Sequence, residues 1–278
     1  MEKTTQSKSV CLYFTQGRCN KMKDKNHLKA YSHGFPDLDT ESFDLKNVQP
    51  QQFDFFLVLD LEGSVSILEF PVLMIDAKTL KHVDFFHRFV RPTDIEMGEE
   101  RKKEYVEQHY GQFGMSRVWH ETAIPFKKVI QQFEDWLSTH QVWANKSGGH
   151  LNKGAFITCG NWDIKTKIPE QYKVAGMQLP PYFMEWINLK DVYLNFYKKK
   201  ATGMVPMMKL LQMPLVGNHH LGIDDTTNIA RVLQHLIIDG SVLQITGRRN
   251  SDGNVDFLFK NRIQNNYRQF SKRPRTMN

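Results

Sequence analysis

The sequence has few cysteines and no long apolar segment, and both absences narrow the classes of protein that it can encode. Only three cysteines occur in 278 residues. That is too few for a disulfide framework, so we expect a reducing compartment, the cytoplasm or the nucleus. No apolar run reaches the roughly 20 residues that cross a bilayer, and the first residues form no apolar signal core. We therefore expect no membrane association.

The composition is that of a folded protein with a basic surplus at its two ends. Hydrophobic residues make up 40% of the chain and aromatic residues 12%, which excludes disorder throughout. Residues 1–35 carry seven basic and two acidic side chains, and residues 248–278 carry eight basic and two acidic ones. Residues 36–247, between them, carry 22 basic and 26 acidic side chains. Basic ends suit phosphate backbones, although they also serve solubility alone.

Composition divides the chain into four sections. Residues 1–35 form a basic, cysteine-bearing appendage, and residues 36–52 are a linker with little apolar content. Residues 53–248 hold the apolar segments of one full-sized domain, and residues 249–278 form a basic polar tail. A chain of this length can bury one such domain with a small appendage.

Apolar patterning within the domain predicts an α/β fold. A near-continuous apolar run after Phe53 predicts a central strand buried on both faces, followed by two strands of a meander. We expect further strands at Ile67–Ile75, Val83–Val90, Gly154–Cys159 and Trp186–Leu189. We expect helices from about Pro125, with Thr122 as the cap, over residues 204–212 and over Asp225–Asp239. This order indicates a mixed sheet flanked by helices.

Two carboxylates close the first predicted strand. Asp60 and Glu62 are two residues apart, so both side chains point to the same face of the strand. Neighbouring carboxylates repel each other near a core, and a hard cation such as Mg²⁺ relieves that repulsion. The alternative is a strand end in solvent, where this pair is commonplace.

A third carboxylate follows a later strand. Asp163 comes after Gly160-Asn161-Trp162, at the predicted end of the strand that begins near Gly154. Its position is equally typical of a helix N-cap, for which Asp is among the best residues. Both roles are compatible if the carboxylate faces the edge of the sheet.

The last element is a His-His pair followed by two aspartates at the start of a helix. Asp225 shares the apolar helical stripe of Ile229 and Leu233, so it faces the core and favours a ligand role. Asp224 lies off that stripe and suits a cap. The spacing to Asp225 favours His220 over His219 as a group that accepts a proton from water.

The order of these residues along the chain resembles that of the DEDDh 3′–5′ exonuclease superfamily, and within it the ERI-type exoribonucleases. The stretches that carry the resemblance are Phe53-Asp54, Glu69-Phe70-Pro71-Val72, Phe89-Val90-Arg91-Pro92, Asn161-Trp162-Asp163, Pro180-Pro181-Tyr182-Phe183, Trp186-Ile187-Asn188, Asn195-Phe196-Tyr197-Lys198, Gly222-Ile223-Asp224-Asp225 and Asn228-Ile229-Ala230-Arg231. The chain departs from that family at Gly63-Ser64, where Ala-Thr is usual, and across residues 94–122.

The resemblance implies a ribonuclease H-like fold and a two-metal mechanism. It implies that Asp60, Glu62, Asp163 and Asp225 hold two Mg²⁺ ions, for which Mn²⁺ often substitutes, and that His220 deprotonates the attacking water. The substrates would be RNA 3′ ends, single-stranded or with short overhangs, and the products nucleoside 5′-monophosphates. The alternatives are a DNA-preferring DEDDh exonuclease and a non-catalytic RNA-binding protein.

The N-terminal appendage resembles a degenerate CCCH zinc finger. Cys11 and Cys19 enclose an aromatic and Gly-x-Cys pattern, His33 stands where the closing histidine is expected, and His27 replaces the missing third cysteine. Zn²⁺ accepts a Cys₂His₂ set as readily as Cys₃His. The alternative is a basic arm, or a decayed finger, that binds no metal.

Overall fold

The computed structural model of the chain describes residues 9–35, 45–94 and 96–262. Its centre is an eight-stranded mixed sheet. The strands in chain order are β1 Ser9–Val10, β2 Tyr31–Ser32, β3 Phe55–Leu59, β4 Glu69–Asp76, β5 His82–Arg91, β6 Ile124–Pro125, β7 Gly154–Thr158, β8 Glu185–Asn188, β9 Gly247–Arg249 and β10 Val255–Phe257. The first two form a separate parallel pair.

The order of strands in the main sheet is β10-β9-β8-β7-β3-β4-β5-β6. Strands β3, β4 and β5 pair antiparallel, so the predicted meander is confirmed. Strands β3, β7 and β8 pair parallel. The carboxyl ends of β3 and β7 therefore meet at one edge of the sheet, the usual place for a ligand in a sheet of this kind.

Nine α-helices occur in the described ranges. They are α1 Leu12–Thr15, α2 Lys25–Ala30, α3 Glu99–Tyr110, α4 Ser116–Thr122, α5 Phe126–Thr139, α6 Ile168–Val174, α7 Leu189–Tyr197, α8 Met204–Leu210 and α9 Gly222–Ile238. None of these described helices has both the length and the apolar character needed to span a bilayer.

The core lies on both faces of the sheet. Phe56 and Val58 of β3 pack in one cluster with the apolar side of α9, while Leu57 and Leu59 pack in a second cluster with α5. All four side chains are fully buried. The prediction of a strand buried on both faces is confirmed, and so is the α/β class with a mixed sheet between helices.

Three local predictions need correction. Thr122 does not cap the helix near Pro125. It ends α4, and Pro125 itself precedes α5. Asp224 does not cap the last helix, because α9 begins at Gly222, after Leu221. The predicted end of the folded domain at residue 248 is too early, because β9 and β10 extend the sheet beside β8. The rest of the predicted tail, from 263 onward, lies outside the described residues.

The N-terminal segment packs on the outer part of the sheet. Strand β1 is held beside β2, and Cys11 N–H donates to Ser32 O at 2.9 Å. The ring of Phe14 contacts that of Phe85 on β5, and Thr15 Oγ1 lies 2.7 Å from His87 Nδ1. The segment is therefore attached to the domain through buried polar contacts as well as apolar ones.

Candidate active site

Three carboxylates meet where β3 ends. Asp60 and Glu62 follow β3, and Asp225 lies in the first turn of α9, which packs against β3 and β4. Their carboxylate oxygens lie within 4.8 Å of one another. Residues distant in sequence thus converge because β3 ends and α9 begins at the same edge of the sheet.

Asp163 lies beside this group, after β7. It begins a π-helical turn, Asp163–Lys167, that leads into α6. Leu61 N–H donates to Asp163 Oδ1 at 3.1 Å, so the carboxylate spans the gap between β7 and β3. Its charge is among those that raise the pKa of Asp60. All four carboxylates singled out in the sequence therefore lie in one place.

The two adjacent aspartates of α9 have different surroundings. Asp225 accepts a hydrogen bond from His220 N–H at 2.8 Å and faces Asp60 and Glu62. Asp224 is also buried, but it turns to the preceding loop, where Asn218 N–H donates to it at 2.7 Å. Only Asp225 is placed with the other carboxylates, as its helical phase predicts.

The two histidines also differ. The imidazole of His219 lies on Asp225, with its Nδ1 2.9 Å from Oδ2. The ring of His220 stacks on that of His219 with centroids 3.9 Å apart. Burial, and then the neighbouring His219, lowers the pKa of His220, which keeps its imidazole neutral and able to accept a proton. The side chain of His219 thus contacts the carboxylate of Asp225, whereas the side chain of His220 stacks on the ring of His219.

The charge balance of the site is unfavourable in the protein alone. Burial is the largest cause that raises the pKa of each of the four carboxyl groups, to about 7 for Glu62 and about 6 for Asp163. Asp60 is raised well above its usual pKa by burial, and then by the charges of Asp163, Glu62 and Asp225. Such a group of oxygen ligands is stabilised in its charged form by a divalent cation.

Glu69 is another buried carboxylate beside this group, and its pKa shifts in the opposite direction. It accepts hydrogen bonds from the N–H groups of Gly222 and Ile223, at 3.0 and 2.8 Å, and so caps α9. Tyr110 Oη donates to it at 3.1 Å, and His87 Nε2 lies 3.0 Å away. Burial would raise the pKa of Glu69, but these partners together lower it. Protein donors thus stabilise the charged form of Glu69, whereas the raised pKa values of the other four carboxyl groups show that their charges are not offset in the same way.

Sequence reasoning gave Glu69 no function, and it missed His109 altogether. His109 lies on α3, with its Nε2 3.2 Å from Glu62 Oε2. The segment 94–122 carries no periodic apolar pattern, so nothing in the sequence pointed to a helix over the site. Glu69 could have been suspected because a charged residue there begins an otherwise apolar strand.

The departure at Gly63-Ser64 has a structural reason. Gly63 has a φ of +107°, a conformation that side chains rarely adopt. A Cβ there would lie 2.1 Å from Ser66 O. The tight turn returns the chain so that Leu68 N–H donates to Glu62 O at 2.8 Å. The short loop between Gly63 and Leu68 thus places Glu69 directly beside Glu62.

Comparison with known proteins agrees with this geometry. A model of the exonuclease family (RNase_T) matches residues 38–233, more than half of the chain. The chain belongs to the exonuclease family. It is 56% identical over 258 residues to an uncharacterized exonuclease domain-containing protein of Arabidopsis thaliana, covering 92% of this chain and 76% of that one.

More distant relatives have named activities. ERI1 exoribonuclease 3 of Homo sapiens is 27% identical over 79% of this chain and 64% of its own length. Human 3′-5′ exoribonuclease 1 is also 27% identical, over 72% of this chain and 57% of its own length. The chain thus spans less than two thirds of these two human relatives. The expectation of a 3′–5′ exonuclease domain, a hydrolase, is confirmed.

Two solved structures have similar folds. A 3′-exonuclease described in its recognition of the 3′ end of a histone mRNA stem-loop superposes with a TM-score of 0.63 at 25% identity, over 75% of this chain and 92% of that one. The nuclease domain of 3′hExo, a DEDDh family member bound to rAMP, superposes with a TM-score of 0.60 at 27% identity. The match covers 70% of this chain and 98% of that one. The expected ribonuclease H-like exonuclease fold is confirmed.

The raised pKa values predict how stability depends on pH and metal. Because Glu62 and Asp163 bind protons more tightly in the folded state, the metal-free exonuclease loses stability as pH rises through about 5 to 7. A divalent cation such as Mg²⁺ would bind the charged form, so its addition should raise the Tm by roughly 5 °C or more near pH 8, and by less near pH 5.5. Differential scanning fluorimetry in EDTA and in Mg²⁺ measures both. Equal pH dependence in the two buffers would contradict the prediction.

Replacing Glu69 by Gln should mainly destabilise the exonuclease. The Gln amide cannot reproduce the charged acceptor that faces two helix N–H groups and His87. Removing one partner of a buried charged network costs about 3–5 kcal/mol, so we expect the Tm to fall by about 10 °C. Thermal unfolding measures this. The exposed Glu170→Gln on α6 is the matched control, and an equal Tm for both variants would exclude the capping role.

Proposed function

We propose that the chain is a 3′→5′ exoribonuclease that hydrolyses phosphodiester bonds from RNA 3′ ends by a two-metal-ion mechanism. The observation that carries this proposal is the convergence of the oxygens of Asp60, Glu62 and Asp225 within 4.8 Å, with Asp163 beside them. Buried carboxylates this close are typical of sites that hold divalent cations.

The donor set fits Mg²⁺. All four proposed ligands are carboxylates, and Mg²⁺ prefers oxygen ligands, with Mn²⁺ as an acceptable substitute. The chemistry that two bound ions would supply there is Lewis-acid stabilisation of the charge that develops on the phosphodiester oxygens. Asp60, Glu62, Asp163 and Asp225 would hold them, and their pKa values, raised by burial, would return towards the usual range once the charges are balanced.

The histidine loop supplies the proton acceptor. We assign this role to His220, whose lowered pKa leaves it neutral at physiological pH. His219 contacts Asp225 through Nδ1 and so orients that carboxylate. Removal of the proton from water by His220 generates the nucleophile, and attack on the terminal phosphodiester releases a nucleoside 5′-monophosphate.

The preference for RNA rests on the relatives. Two human relatives are named exoribonucleases, and the nuclease domain of 3′hExo was solved with rAMP, a ribonucleotide. The sequence alternatives were a DNA-preferring exonuclease and a non-catalytic RNA-binding protein. Catalysis is favoured over inert binding because all five catalytic positions are filled and lie together.

One assay tests the proposal. Matched RNA and DNA oligonucleotides labelled at the 5′ end, single-stranded, duplex or with a short 3′ overhang, are incubated with and without Mg²⁺. We expect Mg²⁺-dependent shortening from the 3′ end of RNA, with mononucleotides as products. Faster shortening of DNA would support the DNA-preferring alternative, and binding of RNA without any shortening would support the non-catalytic one.

A further inference from the structure

The N-terminal segment contains a second cluster of metal-binding side chains. Cys11, Cys19, His27 and His33 offer one ligand atom each, and the four atoms lie within 4.8 Å of one another. This cluster is built by β1, α2 and the residues around β2, on a part of the fold that the carboxylate site does not use. Nothing in the proposed nuclease mechanism explains why two thiols and two imidazoles converge there.

The spacing of these atoms matches a tetrahedral zinc site. Zn–S and Zn–N bonds place a sulfur and a nitrogen ligand about 3.6 Å apart and two nitrogen ligands about 3.3 Å apart. Cys19 Sγ lies 3.5 Å from His27 Nε2 and 3.7 Å from His33 Nε2, and the two Nε2 atoms are 3.1 Å apart. Soft sulfur and imidazole ligands favour zinc over the hard ions suited to carboxylates.

The surrounding segment needs a centre of this kind. Helix α2, which carries His27, has six residues and none of them is buried. So short a helix is not stable by itself, so contacts from outside it must hold it in place. Asp24 caps it through hydrogen bonds to Asn26 N–H and His27 N–H, but that leaves its position undefined. A shared metal would fix α2 against Cys11 and Cys19.

We propose that Cys11, Cys19, His27 and His33 bind one structural Zn²⁺ ion. The four side chains close the coordination shell, so the site leaves no open position for catalysis. Zinc binding would then order the segment that places Thr15 and Gln16 on His87. The ion supports the fold of the segment, and through it the contacts of β5.

The test is the metal content of the full chain. Protein purified without added metal and passed through a desalting column should contain about one zinc per chain by mass spectrometry of metals. Cys19→Ser and His27→Asn should lower this at least tenfold, while the matched controls Cys159→Ser and His150→Asn keep it. Zinc-free wild-type protein that takes up no added Zn²⁺, or Cys19 and His27 variants that keep full zinc, would overturn the proposal.

A second readout separates metal binding from misfolding. Co²⁺ added to the metal-free wild-type chain should give the visible absorption of a tetrahedral centre and a thiolate charge-transfer band, both displaced by Zn²⁺. Thiol titration should find Cys11 and Cys19 protected by zinc and released by a chelator. A Cys11–Cys19 disulfide in protein prepared under reducing conditions, with no cobalt spectrum, would contradict the zinc site.

A cleft whose wall includes Cys11, Cys19 and His27 of this cluster carries a second inference, which rests on the proposed function. A cleft of about 880 Å³ runs between the N-terminal segment and the α3–α4 region. Aromatic and basic side chains line the cleft, among them Tyr13, Arg18, Lys21, Tyr31 and Arg117. One end of the cleft reaches Asn218, which precedes the two histidines of the active site. Glu121 is the acidic residue in its wall, where it accepts hydrogen bonds from Arg117 Nε at 2.8 Å and Tyr13 Oη at 2.6 Å, so a strand in the cleft would compete with it for Arg117.

The cleft has the chemistry of a single-strand channel. Exposed lysine and arginine attract phosphates, and aromatic rings stack with bases. Between the two basic ends, residues 36–247 carry a net negative charge, so RNA affinity must come largely from elsewhere. We infer that the cleft holds the single-stranded RNA that precedes the 3′-terminal nucleotide. Its end at Asn218 would lead the strand to His220.

The test compares long and short substrates. Replacing Lys21 and Arg117 by Gln together should raise KM for a long single-stranded RNA about tenfold and reduce the slope of log KM against log salt by about 1.4. KM for a dinucleotide, too short to reach the cleft, should not change. Lys127→Gln with Lys128→Gln on the opposite face, on α5, is the matched control.

The outcomes distinguish the two proposals. If the wild-type chain cleaves neither substrate, the proposed function fails. If it cleaves both, and the Lys21 and Arg117 double variant keeps the wild-type KM and salt slope on long RNA, the cleft does not hold the strand. An equal rise in KM for the dinucleotide would also exclude the cleft, because it would report damage to the catalytic site.

Discussion

Replacing Asp60 by Asn is expected to abolish metal-dependent shortening of RNA while leaving the fold intact. Asp60 lies among three other carboxylates, and its pKa is raised well above the usual value by burial and by their charges. Asn is nearly isosteric but cannot supply a charged ligand, so the site should lose at least one metal ion. We expect a loss of activity of more than about 10³-fold, measured as the initial rate of mononucleotide release.

The fold of this variant provides the control. Removing one of several repelling charges should keep or raise the Tm of the metal-free protein. Asp54→Asn is the matched variant, because Asp54 precedes the same strand, and its side chain is 69% exposed. It should keep wild-type activity. Wild-type activity of Asp60→Asn would remove the assignment of the carboxylate site.

The second large effect concerns the histidine pair. We expect His220→Ala to reduce kcat by about 10²–10⁴-fold, the usual range for the loss of a general base. His219→Ala should cost only about tenfold, since it removes an orienting contact to Asp225 and not the proton acceptor. Single-turnover rates of RNA hydrolysis at saturating Mg²⁺ measure both effects.

Backbone strain must be separated from chemistry at this position. His220 has a φ of +72°, which Asn tolerates better than Ala. His220→Asn should therefore keep the wild-type Tm and still show the same loss of kcat as His220→Ala. If His219→Ala loses more activity than either variant, His219 is the base and the assignment to His220 is wrong.

Much of the site could be predicted because short-range rules place its members. Alternation along a strand puts Asp60 and Glu62 on one face, and helical phase turns Asp225, but not Asp224, towards the core. Both rules hold in the structure, where Asp225 joins the other two carboxylates and Asp224 binds Asn218 N–H. The meander was predictable for the same reason, since neighbouring strands with tight turns pair locally.

The rest could not be predicted, because it depends on contacts between distant segments. Nothing in the sequence around Glu69 indicates that it caps α9, whose first residue is Gly222, 153 positions away. His109 lies in a segment with no apolar period, yet α3 brings it to Glu62. The edge strands β9 and β10 are short and polar, so their pairing with β8 depends on the sheet already being present.

The sequence by itself indicated the α/β class, the resemblance to the exonuclease family, the four candidate catalytic carboxylates and the four candidate zinc ligands. The fold class and the candidate residues follow from residue type, spacing and periodicity, which act over a few residues, and the family follows from the resemblance of short stretches of sequence. Only the tertiary structure decided that hydrogen-bond donors lower the pKa of Glu69, whereas burial raises the pKa of Asp60, Glu62, Asp163 and Asp225. The physical reason is that the pKa of a buried carboxylate depends on the donors and charges packed around it, and packing brings these from separate parts of the chain.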